Sequence, residues 1–505
     1  MTNASAAIDP RPHRAIGIAL WSVLGVIFLI LILQINRRIS SGHSGDFRHF
    51  YFASGALLDH RDLYGPAPMD VVERGLGRPA GPDEKKWYTT DGERYLYPPL
   101  IAMLYTPIAR LRFDIAQRII LLVNAMLVMV VICLTARLFI ERFDLKDRGW
   151  LIPAAALLGT LLNLDKLHVE LQMFQTNSLM FCMFALSLYW LDRRPILAGV
   201  PLGVIFNIKY LSLGLLPWLL IRRRWGSAAS CVLSTIAFAL LPALISGWHA
   251  NLSNLGVAYG GLLHMIGVHS GVEQANVEDI RDLLSCSITS AMARTTKPGE
   301  SLVLPMIYSA CIAGISVLIV IWMYRRKRVP IFAWPRFAPS LSAAGFSPRS
   351  VGTSSAVQLP DDPRPEGRRL TKNESDQPWK AVMGVEFVSI IAATLCFSPQ
   401  TNTRHLMLVL LLTIPISSLI LRGRAGVSRV AVIIAALLIG VGFIFPPGGQ
   451  APESHHLAMQ WFRIGGQCWC PLIAMLLLVW SALTNAASPS RVFPLNRGDA
   501  EKKEI

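Results

Sequence analysis

The sequence predicts an all-α polytopic membrane protein, and three observations carry that expectation. The apolar residues gather into uninterrupted blocks of about 17–24, the length that crosses a hydrocarbon core of roughly 30 Å. Only 16% of the 505 residues are charged, against about 25% in a soluble chain. Hydrophobic residues make up 53% and the mean hydropathy is +0.45. A soluble chain this long would divide into domains with polar surfaces between them. A soluble enzyme, a secreted disulfide scaffold and a disordered chain are thereby excluded.

The first block runs from Ala15 to Gln34 behind Arg11 and Arg14. It is longer than a signal-peptide core, and Ile35-Asn36-Arg37-Arg38 follows instead of a small-residue cleavage site. It is therefore expected to be an uncleaved helix with its N-terminus in the cytoplasm. Further spans are expected at 116–139, 149–164, 176–191, 196–209, 210–221, 226–246, 301–323, 380–397, 405–421, 429–446 and 467–484, about twelve in all. The pair at 196–209 and 210–221 consists of two short halves with Lys209 between them. The organisation read from this layout is a membrane core over 1–324 with non-spanning loops at 35–115 and 247–300. A cytoplasmic linker follows over 325–379, then C-terminal membrane helices over 380–484 and a cytoplasmic tail over 485–505. The linker, rich in Pro, Ser and Arg, has the composition of a segment without fixed structure.

Charge tests this layout. If the spans alternate, 29 of the 48 basic residues fall on the cytoplasmic side, including Arg222 to Arg224 and Arg325-Arg326-Lys327-Arg328. Arg37 and Arg38 run against the rule, and every later loop follows it. The net charge of +16 is then mostly topology and attraction to the anionic leaflet, so no nucleic-acid partner is expected. Most of the eight cysteines lie inside apolar runs, where a thiol behaves as a small hydrophobe. Cys468-Trp469-Cys470 has neither zinc nor redox-motif spacing, and no spacing elsewhere picks out a metal site, so no metal and no cofactor are expected. No internal repeat of the kind found in many transporters is present.

The first external loop carries the most unusual text, Ser44-Gly-Asp-Phe-Arg-His-Phe-Tyr-Phe-Ala-Ser-Gly-Ala-Leu-Leu, followed by Asp62-Leu-Tyr-Gly-Pro. From Phe47 to Leu58 the apolar residues recur at helical spacing, which predicts a short helix in the membrane interface. Asp46 stands at its start, where a carboxylate serves equally as a helix cap or as a reactive group. A second element, from Tyr95-Leu-Tyr-Pro-Pro to Arg110, is apolar, broken by Pro98, Pro99 and Pro107, and too short to span. Lys209 in an apolar stretch is a functional candidate or a snorkelling residue at a helix end. Arg404 and His405 are cationic candidates or interfacial anchors. Gln175 and Asn177 open a span as helix caps or as site residues. Asp91, Glu93 and Arg94 read as solvated loop or acceptor contacts. The second loop is dense in polar residues from His264 to Arg281.

In order along the chain stand Asp46-Phe-Arg-His-Phe-Tyr, Asp62-Leu-Tyr, Tyr97-Pro-Pro-Leu, Gln175-Thr-Asn-Ser-Leu, Ala198-Gly-Val-Pro-Leu-Gly through Asn207-Ile-Lys, and Ser398-Pro-Gln. This series resembles glycosyltransferase family 87, the polyprenyl-phosphate-mannose-dependent mannosyltransferases and their bacterial relatives. The resemblance runs from about residue 15 to about 420. It implies a C-type glycosyltransferase fold in a bacterial cytoplasmic (inner) membrane, with both termini cytoplasmic and an extracytoplasmic active site. The implied partners are a polyprenyl-phosphate-linked sugar donor, a lipid or glycan acceptor and membrane lipids. Asp46 would be the general base on the acceptor hydroxyl, and a single displacement would invert the anomeric centre. The leaving phosphate calls for cations, for which Lys209, Arg404 and His405 are the candidates. Arg48, Tyr51, Tyr97, Gln175 and Asn177 would bind substrate. Where some members carry a Trp and paired His, this chain reads Gln400-Thr-Asn-Thr-Arg-His, which leaves the sugar open. A transporter or flippase of lipid-linked or small polar substrates, and a non-catalytic scaffold, are the competing expectations.

Overall fold

The computed structural model describes residues 11–42, 44–82, 85, 95–145, 149–265, 280–282, 285–297, 300–329, 331, 372–399, 401–422, 427–444, 460–461 and 463–486. Asp91, Glu93, Arg94, the text from His269 to Asp279 and most of the linker lie outside these residues, as does the tail from residue 487 onward. Among the described residues there are only helices, turns and one isolated antiparallel bridge, between Ser285 and Asn402.

The helices are α1 (Arg11–Ser40), α2 (Phe47–Leu58), α3 (Met69–Leu76), α4 (Pro99–Tyr105), α5 (Phe113–Arg142), α6 (Leu151–Leu161), α7 (Leu164–Met173), α8 (Asn177–Trp190) and α9 (Pro195–Lys209). After a 3-10 turn at Leu211–Gly214 come α10 (Leu215–Ile221), α11 (Trp225–Leu240), α12 (Ala243–Ser246), α13 (Trp248–Met265), α14 (Ile288–Ala293) and α15 (Val303–Arg326). The chain resumes with α16 (Lys372–Phe397), a 3-10 turn at His405–Val409, α17 (Leu410–Leu421), α18 (Val427–Ile444) and α19 (Gly466–Ala486).

Among the described residues, six helical stretches are long and apolar enough to cross a membrane, and six shorter apolar ones accompany them. Each of the twelve expected spans coincides with one of these stretches. The two halves at 196–221 form a broken pair, because Tyr210 adopts a left-handed conformation (φ 58°) that ends α9 and turns the chain into the 3-10 segment. Burial separates rim from centre. The apolar window of α15 is 11% buried and that of α19 is 72% buried, so α15 lies at the periphery and α19 inside the bundle.

α9 and α11 approach most closely through Gly199 and Gly203, four residues apart on one face. A Cβ at either glycine would collide with α11, at the Ser227 carbonyl and Ser230 hydroxyl or at the Ser234 hydroxyl. Small residues at such spacing let helix backbones meet where no hydrophobic effect drives association. Asn207 then pins the end of α9, donating to the carbonyls of Gly203 and Thr235, each at 2.9 Å. Lys209 follows two residues later.

The helix predicted at Phe47–Leu58 forms with those bounds, and its enclosure comes from aromatic packing. Phe47 packs on Phe113 and Phe174 with ring centroids 5.3 and 6.1 Å away. Phe50 lies 5.0 Å from Tyr97 and 5.4 Å from Tyr105, and Phe52 stacks on Phe113 at 5.4 Å. These rings hold α2 against α4, the start of α5 and the turn before α8. Hydroxyl groups fix the Tyr-Pro-Pro segment: Tyr64 donates to the Tyr97 carbonyl at 2.8 Å and Tyr95 to the Pro98 carbonyl at 2.8 Å.

Candidate active site

The site is assembled at one end of the bundle from four distant pieces of chain. The first is the start of α2. Asp46 occupies the N-cap position, yet its side chain makes no capping bond. Its Oδ2 instead accepts from Gln175 Nε2 and from the Arg404 guanidinium in an ion pair. The cap reading of Asp46 is therefore not realised. Its backbone is fixed as well, with Asp46 N donating to the Met173 carbonyl at 3.1 Å. Gly45 makes this approach possible. Its φ is +52°, and a Cβ there would sit 2.8 Å from Met173 Cα, so a glycine suits both the dihedral and the space.

The second piece is the turn from α7 into α8. Phe174 ends α7 in the left-handed region (φ 54°) while fully buried, an uncommon combination for an aromatic residue and one held in place by its surroundings. Its neighbour Gln175 bridges the site: Nε2 donates to Asp46 and Oε1 accepts from Lys209 Nζ at 2.6 Å. Asn177 also accepts from Lys209, at 3.0 Å through Oδ1. Neither residue caps α8 with its side chain; the N-cap position belongs to Thr176.

The third piece is Lys209 at the C-terminus of α9. Its ammonium does not snorkel outward but lies among Gln175, Asn177 and His405 Nε2, the last at 3.0 Å, and 5.4 Å from the centre of the Tyr97 ring. The fourth is the segment Thr401–His405. Hydroxyls of α14 hold the chain leading into it: Thr289 donates to the Phe397 carbonyl at 2.6 Å and Ser290 to the Pro399 carbonyl at 2.7 Å. Cys286 N donates to the Thr401 carbonyl at 2.7 Å. Asn163 secures the turn behind His405, donating to the Met407 carbonyl at 3.1 Å.

The protonation pattern of His405 follows from its partners. Nδ1 accepts from Asn402 N at 3.2 Å. In a neutral imidazole the other nitrogen, Nε2, then carries the proton. An ammonium and an N–H thus face one another at 3.0 Å, with Arg404 also close enough to repel the ammonium. Three donors gathered this way suit an anion better than they suit each other.

Of the residues expected from the sequence, Asp46, Tyr97, Gln175, Asn177, Lys209, Arg404 and His405 are brought together. Tyr97 reaches Gln175 Oε1 with its hydroxyl at 3.5 Å. Arg48 lies on another wall, lining a small open pocket with His49, Phe52, Asp62 and Tyr95. Tyr51 is buried and donates its hydroxyl to the Leu111 carbonyl. Glu170 was not anticipated. It sits fully buried on α7, and its Oε2 accepts from Asn177 Nδ2 at 2.7 Å while Oε1 accepts from Ser178 N at 3.0 Å and from Ser178 Oγ at 3.3 Å. Burial pushes its carboxyl above the ordinary carboxylate range, against the pull of Lys209 and of those bonds. The signal in the sequence is a lone acid in Leu167-His-Val-Glu-Leu, between the spans expected at 149–164 and 176–191.

Comparison with known proteins gives one match. The family model described as glycosyltransferase family 87 matches residues 95–338. That stretch holds Tyr97, Glu170, Gln175, Asn177 and Lys209, while Asp46, Arg404 and His405 lie outside it. No curated protein and no solved structure matches the chain.

Proposed function

Taking as premise that the chain belongs to glycosyltransferase family 87, we propose that it moves a hexose, mannose-like, from a polyprenyl-phosphate sugar to an acceptor hydroxyl on the extracytoplasmic side of a bacterial inner membrane. The observation that supports this reading is the junction of an acid and an anion-seeking cluster through one side chain. Gln175 bonds Asp46 with its nitrogen and Lys209 with its oxygen. A base and a phosphate clamp are thereby held one amide apart, as a displacement at the carbon between acceptor and phosphate requires.

In this reading the acceptor oxygen attacks the anomeric carbon as the bond from that carbon to the phosphate oxygen breaks. The electron pair leaves with the polyprenyl phosphate, and the acceptor proton passes to Asp46. Oδ2 of Asp46 is anchored by Gln175 and Arg404, whereas Oδ1 has no partner among the described residues and is the atom that takes the proton. Lys209, Arg404 and His405 receive the developing phosphate charge. A single displacement of this kind inverts the configuration. The orientation rests on charge: Arg142, Arg193, Arg194 and Arg222 to Arg224 gather at the end of the bundle away from the site.

Transfer of labelled sugar from polyprenyl-phosphate mannose, glucose and arabinose tests the reading, in membranes holding wild type or Asp46→Asn. Lipid, glycan and protein fractions are each counted. Transfer with wild type and none with Asp46→Asn is the expected result. Equal transfer with both removes Asp46 as the base, and no transfer from any of these donors overturns the donor class.

A further inference from the structure

Glu170 takes no direct part in the reaction just described, yet its carboxylate is the hub of the bonds behind Lys209. An ionised carboxylate only accepts, and its two oxygens receive an amide, a backbone N–H and a hydroxyl. Asn177 has no freedom left in consequence. Its Nδ2 donates to Glu170 and, at 3.3 Å, to the Arg404 carbonyl, so its Oδ1 must face Lys209. Were the amide to turn over, an NH2 group would meet the ammonium and the contact would become repulsive. Glu170 also lies within electrostatic reach of Lys209.

We propose that Glu170 is a positioning residue for donor-phosphate binding: it locks the Asn177 amide so that the amide oxygen holds the Lys209 ammonium toward His405, and it supplies the negative charge that balances that ammonium. The proposal rests on the lipid-phosphate donor reading above and adds to it the residue that orients the clamp. The isostere Gln offers one acceptor oxygen to three donors and carries no charge, so it removes both contributions while keeping the volume. A purely structural role is the alternative, because Ser178 N belongs to the first turn of α8 and Glu170 would then be no more than a remote helix cap.

The test uses the full chain in lipid nanodiscs. A sugar-free polyprenyl phosphate is titrated into wild type, Glu170→Gln, Lys209→Gln and the double variant. Each single change is expected to weaken binding at least about tenfold, and the double variant is expected to bind no more weakly than Lys209→Gln, since groups acting through one another are not additive. Fully additive losses, or unchanged binding by Glu170→Gln, overturn the proposal. A second measurement needs no ligand: the rate at which a small acylating reagent modifies Lys209, read by mass spectrometry. Glu170→Gln should raise that rate about threefold or more with other lysines unaffected, and an equal rate overturns the proposal. A wild type that shows this change in labelling but binds no polyprenyl phosphate supports the hold on Lys209 and overturns the donor reading instead. If Glu170→Gln does not fold, Asn177→Ala keeps both charges and breaks the relay. It should then show the same losses, and wild-type values with it overturn the proposal.

Discussion

The two ends of α9 carry two clusters of charge that differ in how completely they satisfy themselves. At the C-terminal end lie Asp46, Glu170, Lys209, Arg404 and His405. Beyond the N-terminal end, about 20 Å away along the helix axis, Asp192 is clamped by Arg142 at 2.8 Å and Arg224 at 3.1 Å. Glu386 is buried beside this cluster and takes bonds from Trp218 Nε1 at 2.9 Å, Arg222 Nε at 2.9 Å, the Arg222 terminal nitrogen and the Tyr324 hydroxyl. Arg222 also donates to the Ile331 carbonyl. The carboxylate oxygens of Asp192 and Glu386 are all met by donors, which ties α10, α15 and α16 together. At the site end one carboxylate oxygen lacks a partner among the described residues and an ammonium faces an N–H. A carboxylate with both oxygens met acts as a staple, and one with an open oxygen is the candidate for a substrate contact.

Substitutions at the two ends should separate these roles. Asp46→Asn is expected to lower transfer by about 10²–10⁴-fold, the usual contribution of a positioned base, with the thermal midpoint in detergent nearly unchanged. A large loss of stability would instead make Asp46 a staple like Glu386. Arg222→Ala should do the reverse. Leaving Glu386 buried without its partner should cost about 3–5 kcal/mol of stability, while turnover per folded molecule stays within about twofold. Replacing both partners, as Arg222→Met with Glu386→Leu, should recover most of that loss, because an apolar pair needs no compensation for desolvation. Failure to recover would show that Trp218 and Tyr324 need the carboxylate.

Gly45→Ala probes how tightly the site end is held. A Cβ against Met173 at positive φ should move Asp46 by a fraction of an ångström to about 1 Å and lower transfer by about tenfold to a hundredfold. Unchanged transfer would mean that the Asp46 position is not critical. The smallest effect concerns pH. Burial raises the folded Glu170 carboxyl, so between the ordinary value of about 4.3 and its folded value the native state holds more protons than the unfolded chain. Stability from this group is fully present below that window and falls as pH rises through it. Its titratable neighbours are Lys209 and Tyr105. Melting curves of wild type and Glu170→Gln should therefore diverge as pH rises toward neutrality, with wild type losing relative stability. Parallel curves would show that the carboxyl titrates in the fold as it does in water.

What the sequence determined by itself was every feature governed by local composition. The lengths of the apolar blocks set the spans, because a helix is the local solution for a backbone in hydrocarbon. The spacing from Phe47 to Leu58 set α2, and the order of short motifs pointed to the family. It also singled out Asp46, Gln175, Asn177, Lys209, Arg404 and His405, because polar groups beside apolar runs are few. Tertiary structure alone decided which of their open roles each residue takes. Asp46 turns from its own helix to Arg404, 358 positions away, and Lys209 turns inward to residues of α8 and the Thr401 segment. Tyr51, beside Asp46 in the same motif, is turned instead toward the Leu111 carbonyl. Glu170 was hidden because nothing in its own stretch distinguishes a buried hub from a solvated connection. The choice depends on where Asn177, Ser178 and Lys209 come to lie, and bonds between segments far apart in the chain leave no periodicity in the sequence of either one.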